Sequence, residues 1–216
     1  GLWFRTEFPK IPVDMVLSTH AHFDHDHIYA PQSPMILDRV AGEFALADVH
    51  VTGLADKHTC IAPGTMDWTD FMKEIGQPGC PPDNWGHLDN TIFVVETAGV
   101  RAVVWGDNRH NPSPETWAGV EGADVLIIPI DESQHLLSYT QVDEIIDRIK
   151  PRIIIPAHYH TQGATSVLST LGNADTWVEG RKNSKKLDGA TLSLTTGEIK
   201  NQTGQVLYFG EHHVTE

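Results

Sequence analysis

The sequence predicts an α/β fold with its sheets inside, and three observations carry that expectation. Short apolar runs recur along the 216 residues and several end abruptly in polar loops. Two of them, TIFVVE at 91–96 and VRAVVW at 100–105, are joined only by Thr97, Ala98 and Gly99, which is a hairpin signal. Between later runs lies a helix-period segment at 140–150, where Val142, Ile145, Ile146 and Ile149 share one face. Strand-like and helix-like segments in alternation are the signature of a layered α/β domain.

Taken in order, 15–19 (MVLST) reads as a buried strand running into a histidine-rich loop. Residues 35–37 read as a strand leading into a helix near 39–47, and 50–54 (HVTGL) as a strand ending close to His58. From 59 to 90 the pattern dissolves into Pro, Gly, Asp and Trp, with helical turns near 68–75. A stretch that long reads as a lid or insertion rather than a connector, and Trp68 and Trp85 could wall a pocket there or simply pack onto the body. Residues 124–130 form the next strand, and Thr140 with Asp143 has the pattern of a capping box opening the helix that Pro151 ends. Residues 152–155 are a strand running into Pro156, Ala157 and His158. Helices are expected near 166–171 and 174–181, and strands near 190–194 and 205–209. Residues 1–216 are thus expected to form a single domain, with 59–90 as its insertion.

Charge narrows the partners. Fifteen Lys and Arg stand against 29 Asp and Glu, a formal net charge of −14 that disfavours nucleic acid. No apolar run reaches the length of a membrane span, so a soluble protein acting on a small molecule is expected, in the cytoplasm before the periplasm or the exterior. Cys60 and Cys80 lie in no CxxC pair and are expected as thiols, with a disulfide open to an oxidising compartment.

The chemistry is concentrated at 19–25, Thr-His-Ala-His-Phe-Asp-His, directly after a buried strand. Three imidazoles and a carboxylate so close together are the donors a transition-metal site needs. Alternate residues of an extended segment point the same way, so His20 and His22 can hold one ion while Asp24 and His25 reach a second. Elsewhere Asp107 follows Gly106 at the end of one strand, where it could equally be a turn residue or helix cap, and His158 follows another. His110 and His135 lie in loops near strand ends, and Asp131 and Glu132 read as plain loop residues.

The segment THAHFDH resembles the HxHxDH signature of the metallo-β-lactamase superfamily, and His58, Gly106-Asp107 and His158 follow in the order that family uses. The stretches DNTIFVVETAGVRAVVWGDN, DVLIIPI and KPRIIIPAHYHT resemble its lactonase-like branch, which includes ascorbate-6-phosphate lactonase. The resemblance implies a four-layer αβ/βα sandwich in which residues 1–14 leave room for only a remnant of the opening strands. It implies two divalent ions, zinc before manganese or iron. The first would be held by His20, His22 and a third histidine, His58 or else His87. The second would be held by Asp24, His25 and His158, with Asp107 bridging the two. Asp24 and His160 are the expected catalytic groups.

Such a pair of ions generates a hydroxide near neutral pH, which makes hydrolysis of a small ester, lactone or phosphoester the leading expectation. No GxSxG elbow and no phosphate-binding glycine loop compete with it. An iron-dependent oxidoreductase of the same fold and a catalytically silent metal-binding sensor are the alternatives.

Overall fold

The computed structural model describes residues 4–22, 24–59, 89–132, 136–166, 169 and 171–213. Ten strands and four helices are found among them. The strands are β1 (Val16–Ser18), β2 (Ile36–Asp38), β3 (Gly42–Leu46), β4 (Val49–Lys57), β5 (Asp89–Thr97), β6 (Val100–Val104), β7 (Val125–Pro129), β8 (Ile153–Ala157), β9 (Ser184–Lys186) and β10 (Gln205–Tyr208). The helices are α1 (Pro114–Val120), α2 (Tyr139–Ile149), α3 (Asp175–Glu179) and α4 (Thr196–Lys200). Strands β1 and β2 form a parallel pair, and the other eight form one sheet in the order β3-β4-β5-β6-β7-β8-β10-β9.

Alternation of side chains explains why this sheet sits in the middle. Val94, Val103, Leu126, Ile154 and Val206 fall in one register row across five strands. All five belong to the largest apolar cluster, together with Trp117, Val142, Ile145, Trp177 and Val178 from α1, α2 and α3. The residues one position along point the other way. Phe93 meets Leu37 and Leu17 of the small sheet, and Ile153 and Leu207 meet Ile199 of α4. Both faces of the central strands are therefore apolar, as a covered sheet requires. Among the described residues no helix packs on the outside of β1 and β2.

The hairpin between β5 and β6 turns on Ala98 (φ 51°) and Gly99 (φ 74°), the left-handed pair that suits a two-residue connection. Three expectations are corrected. Residues 39–47 do not form a helix: Gly42 weakens the helical pattern, and 42–46 pair along β4 through a turn at Ala47 (φ 53°). Ser138 and Gln141, not Thr140 and Asp143, make the capping box of α2, while Asp143 accepts from Trp177 Nε1 at 2.9 Å and pairs with Arg181. Residues 190–194 are irregular, and the edge strand is β9, whose lysines discourage further pairing. The helical turns expected at 68–75, Trp68, Trp85, Cys60 and Cys80 all lie outside the described residues, as does part of 166–171. Among the described residues no helix is long and apolar enough to cross a membrane.

Asp124 clamps the end of the sheet opposite the histidine cluster. Its carboxylate accepts from the Arg101 backbone N–H at 3.0 Å, from Arg152 Nε at 3.1 Å and from Lys200 Nζ at 2.7 Å, joining β6, β8 and α4. Burial pushes its pKa up, but the bonds from Lys200, Arg101 and Arg152 outweigh burial and hold it below the ordinary value. Because the folded pKa is depressed, the contribution is present above the unfolded value and is lost as pH falls through the folded one. Asp124→Ala is expected to reduce unfolding free energy by about 1–3 kcal/mol in urea titrations, given that both cationic partners are partly solvated. An unchanged midpoint would show that the clamp contributes nothing.

Candidate metal centre

Strand direction brings the chemistry to one edge. Strands β6, β7 and β8 run parallel, and β4 and β6 are each antiparallel to β5, so β4, β6, β7 and β8 all end on the same side. From those ends come His58, Asp107, Asp131 and His158, and β1 delivers residues 20–25 to the same place. Ligands collect at carboxyl ends of strands because the loops there are free to carry polar groups.

Backbone bonds hold these loops against one another. Thr91 N–H donates to Thr19 O at 2.8 Å and Thr59 N–H donates to Asp107 O at 2.7 Å. His58 and Asn108 form an isolated bridge, and Arg109 N–H donates to Lys57 O at 3.1 Å. The buried Asp56 carboxylate fixes the same turn, accepting from Arg109 Nε at 2.7 Å and from Ser113 N–H at 3.2 Å. Gly106 has φ 61°, and a Cβ there would lie 2.8 Å from Asn90 Oδ1 and 2.9 Å from Thr19 Cβ. Glycine is thus needed both for the left-handed turn and for the close approach of β1.

Seven of the residues singled out in the sequence converge. His20, His22, His58 and Asp107 form one group of donors able to hold a metal ion, and Asp24, His25 and His158 form another. His20 Nε2 lies 3.1 Å from His22 Nδ1. Asp107 Oδ2 lies 3.6 Å from His20, 3.4 Å from His58, 3.6 Å from His25 and 3.5 Å from His158, in each case measured to Nε2. Asp24 Oδ2 is 3.4 Å from His158 Nε2 and 3.6 Å from His25 Nε2. Donors around a tetrahedral ion with bonds of ~2.0–2.1 Å stand about 3.3–3.4 Å apart, so most of these separations suit a shared ion better than hydrogen bonds.

The remaining valences agree. His25 Nε2, His58 Nε2 and Asp107 Oδ1 are buried without a hydrogen-bond partner, although such atoms ordinarily have one. The second ring nitrogens of His58 and His20 are directed outward from the cluster: His58 Nδ1 donates to Thr59 O at 2.7 Å, and His20 Nδ1 is 3.0 Å from Thr19 Oγ1. His158 Nδ1 is 3.2 Å from Asp131 Oδ2. A ligating histidine is commonly oriented in this way by its second nitrogen.

Burial lowers the His20 pKa to about 3 and the His22 pKa to about 4, and it lowers that of His25 as well, despite the opposing Asp107 charge. These rings are neutral at pH 7, with lone pairs available. Asp107 is 3% exposed. Burial favours its neutral form, but His158, His58 and His25 together hold it well below the carboxylate range. Asp24 is likewise lowered, burial being outweighed by His158 and His25. At His158 burial favours the neutral ring, yet Asp107, Asp131 and Asp24 raise its pKa well above the ordinary value. Carboxylates gathered here demand positive charge, and among the described residues no Lys or Arg pairs with Asp24 or Asp107.

Not every expected residue joins the cluster. His160 donates its backbone N–H to Gly172 O at 2.7 Å, and no described contact brings its ring to the donors. His110 Nδ1 lies 3.1 Å from Gln141 Nε2 and belongs to neither group. His87 and His135 lie outside the described residues. Asp131, read from sequence as a loop residue, is 1% exposed and backs His158. The missed signal was its place directly after a buried strand parallel to the one that delivers His158. Gly172 completes this corner, since a Cβ there would sit 1.9 Å from Asp131 O. His158 itself has φ 58°, a conformation costly for a non-glycine residue and found where function fixes the backbone.

Comparison with known proteins places this geometry. A solved structure from Thermotoga maritima, described as a Zn-dependent hydrolase of the metallo-β-lactamase superfamily, superposes with a TM-score of 0.63 at 17% identity, covering 93% of this chain and 84% of that one. The di-iron β-hydroxylase CmlA of Streptomyces venezuelae superposes with a TM-score of 0.52 at 11% identity, covering 94% of this chain and 44% of that one. Likenesses at such identities establish the fold and leave the reaction open. The model of the beta-lactamase superfamily domain matches residues 4–158, which is most of the chain and contains every member of both donor groups. The chain therefore belongs to the beta-lactamase superfamily and has the metallo-β-lactamase fold.

Proposed function

We propose that this protein is a dinuclear metal-dependent hydrolase acting on a small ester, lactone or phosphoester, as the lactonase-like resemblance of its strands also suggests. The observation that carries the proposal is Asp107 Oδ2, which lies within 3.6 Å of four imidazoles drawn from both donor groups. A carboxylate in that position can touch two ions at once. His20, His22 and His58 would hold the first and Asp24, His25 and His158 the second, with His58 taking the place left open between His58 and His87. Nitrogen and oxygen donors of this kind fit zinc, and also iron or manganese.

Ions held by these residues would supply Lewis acidity and a water of lowered pKa. The chain's own residues supply the rest. Asp107 and the backbone bonds from Thr59 and Thr91 keep the donors in place before substrate arrives, so little reorganisation is needed. Asp24 is anionic and only half buried, and with Oδ2 turned to His25 and His158 its other oxygen can accept a proton as water attacks. The catalytic part expected of His160 stays a proposal, since no described contact ties its ring to the donors.

Elemental analysis of protein reconstituted with zinc and then desalted is expected to give two ions per chain. Asp107→Asn is expected to retain at most one and to lose essentially all metal-dependent turnover. One ion in the wild type, or full activity in the variant, would refute the dinuclear assignment. A tightly held iron content with no hydrolysis would instead favour the oxidoreductase alternative. Asp131→Ala is expected to weaken affinity for the ion at His158 by about 10–100-fold in competition with a chromophoric chelator, as loss of an orienting carboxylate typically does. An unaltered affinity would mean that Asp131 does not position His158.

A further inference from the structure

We infer that the site takes an uncharged substrate with an apolar acyl portion, an alkyl ester or lactone, and discriminates against phosphoesters. The inference rests on the hydrolase reading above and narrows it.

A cavity of about 410 Å³ opens beside the second donor group, within the range that holds small-molecule ligands. Asp24, His25, Asp107 and His158 form its polar end. Its opposite wall is apolar, built from Phe4, Leu17, Val104, Ile127 and Leu171. Among the described residues no Lys or Arg lines it. Outside them the sequence has one further Lys or Arg, Lys73.

Cations close in sequence to the donors are already committed, beginning with Lys57 beside His58, which pairs with Asp89. Arg109 is paired with Asp56 at 2.7 Å, and Arg39 lies 2.5 Å from Asp38 and 3.5 Å from Asp26. The formal net charge of −14 adds an unfavourable long-range field for any anion. Sites that select phosphate ordinarily present Arg or Lys forks or a row of backbone N–H groups, whereas the wall here is mainly hydrocarbon, with Thr19, Tyr159, Thr161 and Thr165 as its uncharged polar members.

An acyl chain would lie along Leu17, Val104 and Ile127, with its carbonyl carbon at the polar end. Water oxygen then bonds to that carbon, the bond to the ester oxygen breaks, and the proton released from water ends on the departing alcohol. The products are one carboxylic acid and one alcohol, and no oxidant or further reactant enters.

Two measurements on the same preparation test this. The first is calorimetric titration of the metal-free protein with hexanamide and with hexyl phosphate, which reads the cavity without catalysis. Hexanamide is expected to bind at least tenfold more tightly. Leu171→Arg is expected to reverse the preference, and equal or tighter binding of hexyl phosphate by the wild type would overturn the inference. The second is turnover by the zinc-loaded protein of p-nitrophenyl esters from acetate to hexanoate, set against bis-p-nitrophenyl phosphate. KM is expected to fall about fourfold per added methylene over the first few carbons, and kcat/KM for hexanoate to exceed that for the phosphodiester at least 100-fold. Faster phosphodiester turnover overturns the substrate class and leaves the hydrolase reading standing. Turnover of neither class by zinc-loaded protein overturns the hydrolase reading and the inference with it.

Discussion

A carboxylate buried at 3% exposure among imidazoles is the constraint around which this protein is organised. Removing a charge from water costs several kcal/mol unless something nearby compensates. At Asp107 no Lys or Arg does so among the described residues, and three neighbouring rings have their pKa values lowered by burial. A second carboxylate, Asp24, and a third, Asp131, face the same histidine. Such an arrangement calls for more positive charge than the His158 ring, whose pKa these carboxylates raise, can supply, and a metal ion bonded to the unpartnered atoms of His25, His58 and Asp107 would provide it.

The rest of the fold serves that convergence. Four strands of the large sheet end at one edge because β4 and β6 both run against β5 while β6, β7 and β8 run parallel, and the small sheet brings His20, His22, Asp24 and His25 over them. Glycine at 106 lets β1 approach the Asp107 turn, and glycine at 172 lets the chain pass over Asp131. The left-handed backbone at His158 stores strain that the covered face of the sheet must sustain. That face is densely apolar, with Ile92, Val103, Leu126 and Ile128 completely inaccessible, and it provides the rigidity a preorganised site needs.

Much of this was legible from residues alone, for definite reasons. Residues 20–25 announce themselves because ligand density in so short a span has few other uses, and β5, β6, β7 and α2 because their periodicity is strong. What was not legible depends on partners distant in sequence. Residues 42–46 carry a weak helical pattern and become a strand only because β4 is there to pair with. Asp131 has no local signature, and only the alignment of β7 beside β8 sets it against His158. The choice between Ser138 and Thr140 as cap of α2 turns on two residues of register, a margin that composition does not resolve.

The most direct test of the account is anomalous diffraction at the zinc edge from crystals of the zinc-loaded protein. Two peaks about 3.5–4 Å apart are predicted, one bonded by His20, His22 and His58, the other by Asp24, His25 and His158, with Asp107 between them. A single peak, or a pair that leaves Asp107 uncoordinated, would contradict it.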